Sequence, residues 1–361
     1  MLITGSSSSV VDQVIASLSS KFSLKDLGQV THFVGVEVTR TTEGLHLSQG
    51  AYIKDVLDRV KMQDAKGTPT PMLANLKLSK DDGNPMVDGK LYRSTVGALQ
   101  YATLTHPEIS FSVNKVSQYM ANPLDSHWKA VKRILRYLAS SIDYGLHIKA
   151  SNTSLTAFSD SDWASDIDDR RSVGGYCVFF GKNLISWCSK KQPIVSRSST
   201  EAEYRSLAQA VCEISWISSL LHELQIKCPS VPVIWVDNIS TISLASNPVL
   251  HARSKHIELD IHFVRDKVLE KLIDIRHVPS LDQTADIFTK PLSYQFFSRL
   301  RNKLSICSKS ALELRGDVSS HNPSHTCATS NDDSMDGQRG KLAVSVPDHH
   351  IKKDSLQGLH N

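Results

Sequence analysis

The chain has no Cys-x-x-Cys pair, and no apolar run approaches the roughly 18 residues that a membrane-spanning helix needs. Its six cysteines, Cys177, Cys188, Cys212, Cys228, Cys307 and Cys327, show no zinc-ligand spacing, and a chain of 361 residues needs no disulfide staples to hold its core. We read them as reduced thiols. The start, Met1-Leu-Ile-Thr-Gly5, lacks the basic residues and length of a signal peptide. The expectation is therefore a soluble intracellular protein, cytoplasmic or nuclear, with no membrane partner. Charge of one sign is also scarce: 41 Lys and Arg against 37 Asp and Glu leave +4, with a pI near 8.6. That balance permits a nucleic-acid partner but falls short of the pI above about 9 of a dedicated binding domain. No aromatic residue follows Phe297, and Ser, Asn, Asp, His and Gly dominate after residue 316, so 295–361 reads as a largely disordered tail.

What is present is ordinary globular composition, 40% hydrophobic and 22% charged. The spacing Val10, Val11, Val14, Ile15, Leu18, Phe22 predicts a helix within 6–27, stopped at Gly28. Residues 32–38 and 45–47 read as a hairpin, and 51–60 as a helix. Pro69, Pro71, Gly83 and Pro85 make 67–90 a linker. Residues 91–147 read as helical. Within them Val131, Ile134, Leu135 and Leu138 form an apolar stripe, with Lys129, Lys132, Arg133 and Arg136 opposite. That basic face, together with Lys190 and Lys191, is a candidate contact for a phosphate backbone. An ordinary solvated helix face accounts for such residues equally well.

From 154 to 291 the pattern is strand, strand, strand, helix, strand, helix, helix, strand, helix. The expected segments are 1–66, the linker 67–90, a helical region 91–150, an α/β domain 151–294 and the tail 295–361. Four acids stand at element ends. Asp160 closes an alternating strand, with Asp162 an alternative beside it. Glu203 lies four residues before Leu207 on the inward stripe of a helix opened by Ser198 and Glu201 at capping-box spacing. Asp237 ends the apolar run Val233-Ile-Trp-Val236, where open sheets place ligands. Asp286 sits in the first turns of a helix begun by Ser280 and Gln283. Charged groups on apolar elements need partners. Carboxylates gathered together raise one another's pKa values until cations neutralise them. Mg²⁺ suits such an all-oxygen set, and two ions serve phosphodiester hydrolysis by water.

Several stretches carry a resemblance to a known family: Phe158-Ser-Asp-Ser-Asp-Trp-Ala164, Asp169-Arg-Arg-Ser172, Ser189-Lys-Lys-Gln-Pro193, Ser198-Ser-Thr-Glu-Ala-Glu-Tyr204, Val236-Asp-Asn238, His251-Ala-Arg-Ser-Lys-His-Ile257 and Val278-Pro-Ser-Leu-Asp-Gln-Thr-Ala-Asp-Ile-Phe-Thr-Lys-Pro291. They resemble the polyprotein of copia-type LTR retrotransposons. The resemblance implies a ribonuclease H-like domain, a mixed five-stranded sheet with flanking helices. It also implies metal-binding catalytic acids at Asp160, Glu203, Asp237 and Asp286, two Mg²⁺ ions (Mn²⁺ as a substitute) and an RNA·DNA hybrid as substrate. Phe22-Ser-Leu-Lys-Asp-Leu-Gly28, Phe33-Val-Gly-Val-Glu37 and Tyr92-Arg-Ser-Thr-Val-Gly97 resemble the late palm, thumb and connection of the family's reverse transcriptase. In that family the polymerase acids precede a segment like Leu2–Gly5. The expectation is thus a ribonuclease H without polymerase activity, with a complete reverse transcriptase subunit as a further partner. The alternative is a non-catalytic relic that at most binds nucleic acid. His277 is read as a strand residue rather than a catalytic one.

Overall fold

The computed structural model describes residues 1–5, 7–247 and 257–312. The N-terminal spacing does form a helix, α1 (Ser8–Lys21), but none of its side chains is buried, and Phe22 turns extended well short of Gly28. Most helical stability comes from packing an apolar face; with no such packing here the helix stops early. The hairpin follows as β1 (His32–Phe33), β2 (Val36–Thr41) and β3 (Gly44–Ser48), and then α2 (Gly50–Arg59), which buries Ile53, Val56 and Leu57.

The expected linker has no helix or strand of its own before α3 (Gly89–Ala102), yet it is not free. Thr68, Thr70, Met72 and Leu78 are buried in it. Asp88 caps α3 by accepting from Leu91 N at 2.8 Å. After α4 (Ser110–Ser117) comes α5 (Asp125–Ala139), whose stripe Val131, Ile134, Leu135 and Leu138 is wholly inside, as its spacing predicts. The helical reading of 91–147 fails at its end, where β4 (Tyr144–Lys149) is a strand. Tertiary pairing overrides local propensity there. Strand β4 aligns antiparallel to β3, with His147 opposite His46, and a Cβ on Gly145 would lie 2.2 Å from Leu47 O, so only glycine allows that approach.

The second half runs β5 (Leu155–Ser161), β6 (Val173–Phe180), β7 (Asn183–Lys191), α6 (Ser199–Glu223), β8 (Val233–Val236), α7 (Ile239–Ser246), α8 (Glu258–Leu269), β9 (Asp274–His277), α9 (Tyr294–Lys303) and β10 (Ile306–Ser308). Its sheet has the order β7-β6-β5-β8-β9. The β5, β6 and β7 strands are antiparallel neighbours, while β5–β8 and β8–β9 are parallel. This is the expected mixed five-stranded sheet. One face is covered by α6 and α8 through Tyr204, Leu207, Val211, Ile214, Ile261 and Val264. The other face presents Cys177 and Phe179 to a core shared with Leu99, Ile134 and Leu146 from the first half.

Two further expectations are corrected. The last helix of the domain is instead a pair of 3-10 turns, Ser280–Asp282 and Thr284–Phe288. Buried Gln283 separates them: it caps Ala285 N at 3.2 Å and donates to Ser159 O at 3.0 Å, which draws it out of any regular helix. The disordered tail does not begin at 295. Within α9 and β10, Phe297, Leu300 and Ile306 are buried, and β10 completes the first sheet, β1-β2-β3-β4-β10. Residues 313–361, the rest of that expected tail, lie outside the described residues. Among the described residues no helix is long and apolar enough to cross a membrane.

Candidate active site

Asp160 lies one residue from the end of β5, opposite Gly175 of β6, and is 2% exposed. Glu203 is placed by the start of α6, where the expected cap forms: Ser198 Oγ accepts from Glu201 N at 3.2 Å, and Glu201 Oε2 accepts from Arg197 N at 2.9 Å. Ser206 then binds both Gly175 O (3.1 Å) and Ser159 Oγ (3.2 Å), fixing the first turns of α6 over β5 and β6. Asp237 follows Val236 at the carboxyl end of the parallel strand β8, and Asn238 caps α7 behind it. Asp286 sits in the turn Thr284–Phe288, packed over the ends of β5 and β6.

These placements bring three acids together. One carboxylate oxygen each of Asp160, Glu203 and Asp237 lies within 4.8 Å of the others. Asp286 joins through Lys290, whose Nζ is 2.9 Å from Asp286 Oδ1 and 3.4 Å from Asp160 Oδ2. The Thr289 hydroxyl also donates to Asp160 Oδ2. Glu203 Oε2 and Asp237 Oδ1 are buried without a hydrogen-bond partner.

Burial, then the nearby Asp160 and Asp237 charges, push the Glu203 carboxyl up to about 10, so it holds a proton at neutral pH. Burial and Asp160 push Asp286 up to about 7, against the opposing pull of Lys290. Lys290 itself stays protonated: burial works against its charge, but Asp160 and Asp286 more than offset that. Orphaned, crowded oxygens with no sulfur or imidazole in the set match the requirements of a hard divalent cation. The residues fit the implied metal.

Asp162 is in a different situation. Its Oδ1 accepts from Val173 N at 2.8 Å and its Oδ2 from the Ser165 hydroxyl, so it ties down the loop between β5 and β6, and burial raises its pKa to about 6. Of the basic residues, Arg133 donates to Thr70 Oγ1 at 2.8 Å and Arg136 to Lys66 O at 2.8 Å; both anchor the segment before α3. Lys191 is spent on Asp166 and Asp169, each at 2.9 Å. Lys129, Lys132 and Lys190 remain exposed, Lys129 near Asp125 at 3.9 Å. His277 lies in β9 opposite Val236, as a strand residue. Lys290 and Thr289 were not singled out in the sequence. The four-residue spacing from Asp286 to Lys290, a favourable ion-pair spacing on one helix face, was the available signal.

Residues 1–74 match the family model described as reverse transcriptase (RNA-dependent DNA polymerase). Over 307 residues the chain is 47% identical to the retrovirus-related Pol polyprotein from transposon RE2 of Arabidopsis thaliana, covering 85% of this chain and 21% of that protein. It is 30% identical over 218 residues to the putative transposon Ty5-1 protein of Saccharomyces cerevisiae, covering 59% of this chain and 71% of that one. The chain belongs to the retrovirus-related Pol polyproteins of copia-type transposons. Its second half carries the mixed five-stranded sheet, order β7-β6-β5-β8-β9, that is expected of a ribonuclease H-like domain. Among solved structures, a ribonuclease H1 isolated from compost overlaps 38% of this chain and 93% of its own, at 13% identity and a TM-score of 0.31. The chain spans about a fifth of the RE2 polyprotein, 21% of its length.

Proposed function

We propose that this chain is a ribonuclease H that hydrolyses the RNA strand of an RNA·DNA hybrid, using divalent metal and water. The observation that carries the reading is the convergence of Asp160, Glu203 and Asp237 within 4.8 Å, two of them with orphaned oxygens. In this reading the three acids hold Mg²⁺, or Mn²⁺ in its place, and Asp286 serves as a fourth ligand. When bound, a pair of such ions supplies Lewis-acid activation of water and charge neutralisation at the phosphate.

The chain's own residues do the rest. The ends of β5 and β8 fix Asp160 and Asp237, and the anchored first turns of α6 hold Glu203 against them. Glu203 gives up its proton before it can act as a ligand, because ligands bind deprotonated. Burial keeps the site in low dielectric, where each charge contact is strengthened. Exposed Lys129, Lys132 and Lys190 would meet phosphates, positioning the hybrid without reading sequence. RNA would be told from DNA by duplex shape and 2′-hydroxyls.

The test is cleavage of a labelled hybrid with Mg²⁺, with EDTA, and by Asp237→Asn. The variant removes one ligand charge, and the expected loss exceeds the roughly 100-fold typical of groups one shell further out. Undiminished cleavage by Asp237→Asn, or in EDTA, overturns the assignment.

A further inference from the structure

The acidic pocket already contains a cation of its own. Lys290 reaches Asp286 Oδ1 at 2.9 Å and Asp160 Oδ2 at 3.4 Å, while Glu203 Oε2 and Asp237 Oδ1 have no hydrogen-bond partner. The pocket is therefore asymmetric. Between Asp160 and Asp286 an ammonium is in place; among the described residues no cation makes an ion pair with Glu203 or Asp237.

An ammonium bridging two carboxylates does part of what a divalent ion does, with half the charge. It cannot share the position. Mg²⁺ takes oxygen ligands at close range, so an ion held by Asp160 and Asp286 would take the place of the lysine. Lys290 has somewhere to go: its side chain is 40% exposed where Asp160 is 2% exposed. A flexible four-carbon stem can carry its charge outward at little strain.

We propose that Lys290 is a built-in competitor for one of the two cation positions, neutralising the Asp160–Asp286 pair in the metal-free protein and yielding it when a divalent ion binds. The inference rests on the metal-dependent reading above. It makes the two positions unequal: an ion on the Asp286 side binds against the lysine, and one on the side of Glu203 and Asp237 does not. On leaving, the ammonium moves to the mouth of the pocket, where the phosphate of a bound strand would arrive.

The experiment titrates Mg²⁺ into the full chain and into Lys290→Met, Lys290→Gln and Lys290→Arg. Binding is followed by calorimetry and by melting temperature, so no readout depends on cleavage. The two neutral variants should melt lower than the parent without metal, bind Mg²⁺ with a several-fold lower half-saturating concentration, and gain more melting temperature at saturation. Lys290→Arg should stay close to the parent. If Lys290→Met is unfolded without metal, recovery of its melting transition with Mg²⁺ supports the competitor role. Neutral variants that bind Mg²⁺ no more tightly than the parent overturn that role alone. If the parent and all variants bind no Mg²⁺, both the role and the metal-dependent reading fall.

Discussion

Glu203 makes a quantitative forecast for the metal-free protein. Burial first, and then the charges of Asp160 and Asp237, raise its carboxyl from 4.5 to about 10 in the folded chain. In the unfolded chain it returns to its ordinary value. Between those values the folded state holds one proton more than the unfolded state, so stability falls as pH rises. The contribution is fully present below the unfolded value and lost as pH passes the folded one. One proton corresponds to about 1.4 kcal/mol per pH unit, so about 3 kcal/mol should disappear between about pH 6 and about pH 8. Against a total stability of about 5–15 kcal/mol, that loss is large. Urea unfolding in EDTA at three pH values measures it. Glu203→Gln keeps the shape and cannot ionise, so its line should be flatter by nearly the whole Glu203 contribution. The residual slope belongs to groups such as Asp286, raised to about 7. Saturating Mg²⁺ should remove the loss in the parent, because the ion needs the ionised carboxylate and binds better as pH rises. Parallel lines for the parent and Glu203→Gln in EDTA would refute the reasoning.

Gly175 lies opposite Asp160, and a Cβ there would sit 2.7 Å from Phe288 Cβ and 2.9 Å from Thr289 Cγ2. Gly175→Ala should therefore cost about 1–3 kcal/mol by overpacking. It should also lower hybrid cleavage by pushing Thr289 and Asp286 away from the site; unchanged unfolding and cleavage would show that the turn has room. Asp162→Asn keeps an oxygen for Val173 N, which its carboxylate now accepts at 2.8 Å. Cleavage should persist in that variant and vanish in Asp160→Asn, and the reverse outcome in the same assay would exchange the two roles.

Local pattern was enough to place each acid. Alternation ends at Asp160, an apolar run ends at Asp237, and the inward stripe of α6 fixes the side of Glu203; each signal sits within a few residues, so a linear reading recovers it. The buried stripe of α5 was legible for the same reason. Tertiary structure decided the rest. Parallel pairing of β5 with β8, Thr156 opposite Val233, is what carries Asp160 and Asp237 to the same sheet end. The recruitment of Gln283 to Ser159 O turns an expected helix into short turns and aims Asp286 and Lys290 at Asp160. Arg133 and Arg136 share a helix face with Lys129 and Lys132, yet the two arginines are half-buried and held by Thr70 and Lys66. Periodicity tells which face of an element turns inward. Which charge finds which partner depends on distant segments meeting in a low-dielectric interior, and only the folded chain decides that.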